Sequence, residues 1–279
     1  MKSIVKSISV AVALLAFGQV ASAAQPAAAP RPAAVDERAG GQAQPAAPQR
    51  PQAPPPAAKL AAPIDLAGNW VSIVNEDWRW RMVTPPKGDY ASVPLNPEGR
   101  KQADTWTEDQ DGSCKAYGVG NLMRMTTRLK ISWVDDKTLK IETDYGVQTR
   151  LLHFDRTDIK AGPRTLQGDS LANWEYPTGA TDFMFGPAAD PKKRPPNGTL
   201  HVVNTNHTDG WLRRNGVPYS EDARITEYFD AWKSSDGADW FVVTTLVDDP
   251  RFLQRQYMTS SHFKREADDS KWKLHPCKG

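Results

Sequence analysis

From about residue 68 onward, apolar and polar residues alternate with a period of two in short runs, and the spacing of a helix face is almost absent. The runs that read as strands are 69–75, 78–83, 122–134, 138–145, 147–154, 199–207, 223–232, 239–247 and 256–264. Turn chemistry separates several of them: Asp135-Asp136-Lys137, Gly146, Asn197-Gly198, Ser234 to Gly237, and Asp248-Asp249-Pro250. Strands that follow one another this closely suggest an antiparallel meander. A meander must hide its two edges, and closure hides both, so the expected class is an all-β barrel of about 8–10 strands. One helix is expected, from Pro97 to Trp106: Asn96 can cap it, Pro97 takes the first helical position and Glu98 lies in the first turn. The stretch from Asp155 to Pro196 is crowded with turn signals, among them Gly162-Pro163, Gly179, Gly186 and Pro195-Pro196. It reads as a long irregular flap over one barrel end, either functional or a surface excursion.

Composition divides the chain before this region. All 10 Trp, all 7 Tyr and both Cys lie after residue 65, whereas ten of the 23 Pro fall between 24 and 63. Residues 1–23 have a basic start (Lys2, Lys6), an apolar core from Ile8 to Val20 and the ending Ala21-Ser22-Ala23, the pattern of a secretory signal peptide. Residues 24–63 are Ala, Pro, Gln, Gly and Arg for the most part and bury too little apolar surface to offset ordering, so they read as a disordered linker. The β domain is then 64–279, in the periplasm or outside the cell. No apolar run after the signal peptide is long enough to cross a bilayer as a helix. The formal charge of +2 belongs to Lys2 and Lys6, so the mature chain is neutral and offers no electrostatic footprint for nucleic acid.

Export places Cys114 and Cys277 in an oxidising space. With no other Cys and no clustered His, they read as one disulfide rather than a metal site, with two free thiols as the alternative.

The segment Asp65-Leu66-Ala67-Gly68-Asn69-Trp70 resembles the Gly-x-Trp signature that opens the first strand of lipocalins and other calycin barrels. The resemblance implies that Trp70 closes the barrel floor, against an Arg from a late strand. A broader resemblance, to uncharacterised exported bacterial proteins, rests on several further stretches. They are Glu76-Asp77-Trp78-Arg79-Trp80-Arg81-Met82-Val83-Thr84-Pro85-Pro86, Gly168-Asp169-Ser170 with Trp174-Glu175, Asn215-Gly216-Val217-Pro218-Tyr219-Ser220-Glu221, and Asp248-Asp249-Pro250. It implies an exported lipocalin-like barrel and transfers no activity.

A barrel of this size holds either packed side chains or one small ligand. In 223–232 one face is Ile225, Glu227, Phe229 and Ala231, so Glu227 interrupts an apolar row. It is either a desolvated general acid or base, or the partner of an Arg such as Arg150 or Arg128. His207 ends a strand beside a loop, and Tyr219 follows the Asn215-Gly216 turn; both are candidate proton-transfer groups, as structural roles would equally allow. Trp78 and Trp80 share one face of 78–83 and would serve as ligand walls or as plain core, with Arg150, His153 and His262 as polar contacts. His153, His207 and His262 show no metal-ligand spacing, and neither metal nor cofactor is called for. Two functions remain: binding of a small, largely apolar or aromatic molecule in the interior, or cofactor-independent catalysis as a lyase, isomerase or hydrolase. Oligomeric state is left open.

Overall fold

The computed structural model describes residues 56–160, 162–176 and 198–279. The expected signal peptide, most of the expected linker and 177–196 of the expected flap lie outside the described residues. The strands are β1 (Gly68–Ile73), β2 (Arg128–Trp133), β3 (Thr138–Thr143), β4 (Tyr145–Gly146), β5 (Thr149–His153), β6 (Asp169–Glu175), β7 (Thr199–Thr205), β8 (Gly210–Arg213), β9 (Val217–Tyr219), β10 (Arg224–Lys233), β11 (Asp239–Asp248), β12 (Tyr257–Glu266) and β13 (His275–Pro276). The helices are α1 (Ala58–Ala61), α2 (Trp78–Arg81) and α3 (Pro97–Ala103), with four short 3-10 turns.

Nine strands close into a barrel in the order β1-β12-β11-β10-β7-β6-β5-β3-β2. An odd number of strands cannot alternate direction all the way round, so one neighbouring pair must be parallel. That pair is β5 and β6, where Leu152 and His153 lie opposite Ser170 and Leu171. A parallel pair needs a connection that travels the length of the barrel, and 154–168 supplies it. This corrects the expected flap: 169–175 is a barrel strand, and the segment before it is a crossover. Eight of the expected strands are present, and 78–83 is not among them. There the chain turns through Asp77 in the left-handed region (φ 52°) into the single helical turn α2. The helix expected from Pro97 is α3, capped by the Asn96 side chain, which accepts from the Gly99 amide.

Alternation sends one face of each strand inward. Ile225, Glu227 and Phe229 of β10 and Phe241, Val243, Thr245 and Val247 of β11 are buried, while their sequence neighbours are not. The lower lumen is apolar and aromatic. Phe241 stacks on Phe263 at 4.8 Å and meets the edge of Trp70 at 4.6 Å, and burial of each such ring contributes about 1.5–3 kcal/mol. The floor closes where β1 begins. Trp70 Nε1 donates to the Leu66 carbonyl at 2.9 Å, and the Arg265 guanidinium lies 4.2 Å over the Trp70 ring. The last part of the Pro-rich stretch, 56–63, packs beside this floor: Trp174 Nε1 donates to the Ala58 carbonyl at 2.8 Å, and Lys59 N to the Asp136 carbonyl at 3.0 Å.

The opposite end is covered by a thick cap made of 74–127, the β8–β9 hairpin, 249–256 and the C-terminal tail. Cys114 and Cys277 form a disulfide across 163 residues of sequence. Beside it β13 pairs with β4, and Cys114 N donates to the Lys278 carbonyl at 2.9 Å, so the tail is tied onto the cap.

Candidate functional site in the upper lumen

Above the aromatic floor the lumen changes character. Five successive barrel strands each send in a buried polar side chain: Arg150 from β5, Ser170 from β6, Asn204 from β7, Glu227 from β10 and Thr245 from β11. Glu227 is fully buried because it takes the inward position between Ile225 and Phe229. Arg150 is 1% exposed and its Nη1 lies 2.6 Å from Glu227 Oε2. Of the two readings of Glu227, the partner of Arg150 is the one the geometry contains; Arg128 instead pairs with Glu266 at 2.9 Å.

Arg150 Nε donates to Ser170 Oγ at 2.9 Å, and Asn204 Nδ2 donates to the same oxygen at 2.9 Å and to the Gln167 carbonyl at 2.7 Å. The guanidinium is thereby oriented from one side. Arg150 Nη1 meets Glu227 Oε2, and among the described residues Arg150 Nη2, Glu227 Oε1 and Asn204 Oδ1 have no hydrogen-bond partner. Desolvation pushes the Glu227 carboxyl above the usual range, with Arg150 opposing. Chemically the belt offers a fork of cationic donors, a carboxyl that can carry or release a proton and a neutral amide oxygen, all in low dielectric.

Tyr219 hangs from the cap. Its ring is buried, its hydroxyl lies against Gly118 and Gly210, and burial raises its pKa. A Cβ at Gly118 would overlap the hydroxyl, which is why that position has no side chain. His207 is also buried, but Nδ1 lies 3.0 Å from the Thr208 carbonyl and Nε2 2.8 Å from the Ala223 carbonyl. Both ring nitrogens are occupied by main chain, so His207 ties the end of β7 to the start of β10.

The remaining expected residues lie elsewhere. Trp78 is 68% exposed on α2. Trp80 donates from Nε1 to Asp89 at 3.0 Å and lies under the Arg213 guanidinium, outside the lumen. The expectation that this pair walls the interior is therefore corrected: the aromatic walls are Trp70, Phe229, Phe241 and Phe263. His153 is half-buried near the floor, and His262 faces outward with Nδ1 3.1 Å from Glu76. Among the described residues no three His, Cys, Asp or Glu side chains are grouped to hold a metal. Ser170 and Asn204 were missed. Asn204 follows Leu200 and Val202 in the same alternation that exposes Glu227, so the signal was present; Ser170 sits in the stretch read as flap.

Compared with protein-family models, curated proteins and solved structures, the chain matches none.

Proposed function

We propose that this chain is an exported, lipocalin-like binding protein that holds one small, largely apolar or aromatic molecule in the upper lumen. The apolar part of the ligand lies against the aromatic floor, and a polar group lies on Arg150, Glu227 and Asn204. The observation that carries the reading is the set of buried polar atoms in that belt without protein partners, because buried groups of this kind are nearly always hydrogen-bonded to something. Export is supported by the disulfide and by the leader-like N-terminus, and the lipocalin-like reading by the Arg265 guanidinium over Trp70. Among the described residues no helix is long and apolar enough to cross a membrane.

The raised Glu227 carboxyl favours a second reading, an enzyme on the same scaffold with Glu227 as its acid or base. One experiment separates the two. Native mass spectrometry of the purified oxidised protein should show a small molecule that denaturation releases; a carrier returns it chemically unchanged, and folded Glu227→Gln should hold it more weakly. Loss of turnover of that molecule in the folded Glu227→Gln protein would favour the enzyme. A wild-type protein that carries no ligand and whose Trp fluorescence answers to no apolar or aromatic compound would sink both.

A further inference from the structure

A second polar site lies in the cap, independent of the lumen. Trp80, Arg81, Asn121, Arg124, Arg213 and Arg214 line a semi-enclosed niche of about 10 Å³, room for one water-sized group, together with Met125. Three of these guanidiniums are buried: Arg81 is 4% exposed, Arg124 6% and Arg213 2%.

Each is anchored on one side. Arg81 Nε donates to the Arg124 carbonyl at 2.9 Å and pairs through Nη1 with Glu76. Arg124 Nη2 pairs with Asp77 at 2.8 Å. Arg213 Nη2 donates to the Ala91 carbonyl at 2.7 Å, and Arg214 Nη2 to the Arg81 carbonyl at 3.0 Å. Among the described residues Arg124 Nη1 has no hydrogen-bond acceptor, and Arg213 Nε and Nη1 meet no carboxylate or carbonyl. The Tyr257 hydroxyl is the side-chain group that hydrogen-bonds Arg213.

Four guanidiniums therefore meet two carboxylates, Glu76 and Asp77. Burying cations in excess of their partners is costly. A protein that gathers them around one niche, from α2, the turn at Leu122–Arg124 and the end of β8, can receive negative charge there from outside. The excess of two positive charges and the forked geometry of the donors match a phosphate-type oxyanion better than a single carboxylate. The size of the niche admits one oxygen, leaving the rest of the anion at the open mouth.

We infer that the Arg81, Arg124, Arg213 and Arg214 niche is a binding site for a phosphate-type oxyanion, either free or as the terminal group of a larger molecule. The test is calorimetric titration and thermal unfolding of the oxidised protein with inorganic phosphate, with ionic strength held constant by sodium chloride. Phosphate should bind and raise the melting temperature. Arg124→Gln and the half-buried Arg214→Gln should each weaken binding roughly tenfold, the effect of one charge-assisted donor, while Arg251→Gln, an exposed arginine outside the niche, should change nothing. Glycerol 3-phosphate distinguishes the sources: tighter binding than phosphate assigns a larger phosphomonoester, and equal binding assigns the free ion. The inference fails if phosphate gives no response beyond that of chloride, if acetate binds as well as phosphate, or if folded Arg214→Gln binds phosphate as the wild type does.

Discussion

Splitting the Arg150–Glu227 pair should cost very different amounts depending on which partner is removed. The two side chains are 1% exposed each and 2.6 Å apart. In Glu227→Gln the guanidinium stays charged, because an arginine cannot discharge by losing a proton, and at pH values where the wild-type carboxyl is ionised the uncompensated buried charge costs about 3–5 kcal/mol. In Arg150→Met the partner left behind is a carboxyl that can take up a proton, and burial already pushes it above the usual range. At low pH the loss then shrinks to the Ser170 hydrogen bond and some packing, about 1–2 kcal/mol. The sign with pH follows from proton counting. Between its ordinary unfolded value and its raised folded value, Glu227 binds more protons in the folded state, so stability is fullest below the unfolded value and falls as pH rises through the window. Removing Arg150 widens that window, and the penalty of Arg150→Met should grow by up to about 1.4 kcal/mol per pH unit within it. Glu227→Gln has no such group, so the slope is absent. The double variant, with neither charge, should lie nearer wild type than Glu227→Gln does. Urea unfolding followed by Trp fluorescence and circular dichroism at about pH 5 and about pH 8, with the disulfide intact, reads all four proteins. The reasoning is refuted if the deficit of Arg150→Met does not change with pH, or if the double variant is less stable than Glu227→Gln at the higher pH.

Three other outcomes follow from the cap. Replacing Cys114 and Cys277 by Ser should lower stability by about 5 kcal/mol in the chain-entropy limit for a 163-residue separation, checked by denaturant unfolding of oxidised wild type against the double Ser variant. Tyr219→Phe should change stability by no more than about 1 kcal/mol in the same assay, since the buried hydroxyl it deletes makes at most a weak contact with the Gly120 main chain. Gly118→Ala should cost about 1–3 kcal/mol in the wild-type background and much less when combined with Tyr219→Phe, because its Cβ overlaps the hydroxyl first; equal losses in both backgrounds would contradict the placement of that ring.

What was legible in the sequence was whatever long alternation wrote there. Ile225, Glu227, Phe229 and Ala231 declare an inward row interrupted by one carboxylate, and the fold keeps that row. Strand β6 was hidden for the same physical reason: its inward residues begin with Ser170 and Ala172, too small and polar to stand out among turn signals. Trp78-Arg79-Trp80-Arg81 misled because four alternating residues fit one helical turn as well as a strand. What decides is Arg81, whose donors reach Arg124, Glu76 and Ser72 only from α2. The arginine niche could not be read at all. Arg81, Arg124 and Arg213 are 43 and 89 residues apart, and nothing in their local sequence marks them as buried rather than solvated.

The two barrel ends divide stability from chemistry. At the floor, Trp70, Arg265 and the packed 56–63 segment close the lumen with short connections and aromatic contacts. Toward the other end lie the Arg150–Glu227 pair inside the lumen and the buried arginines of the cap. Buried charges cost stability wherever they sit. Concentrating them where the chain is longest and most elaborated keeps that cost away from the aromatic floor that specifies the fold. The Cys114–Cys277 bond, which ties the tail to the cap, fastens the cover over this polar end.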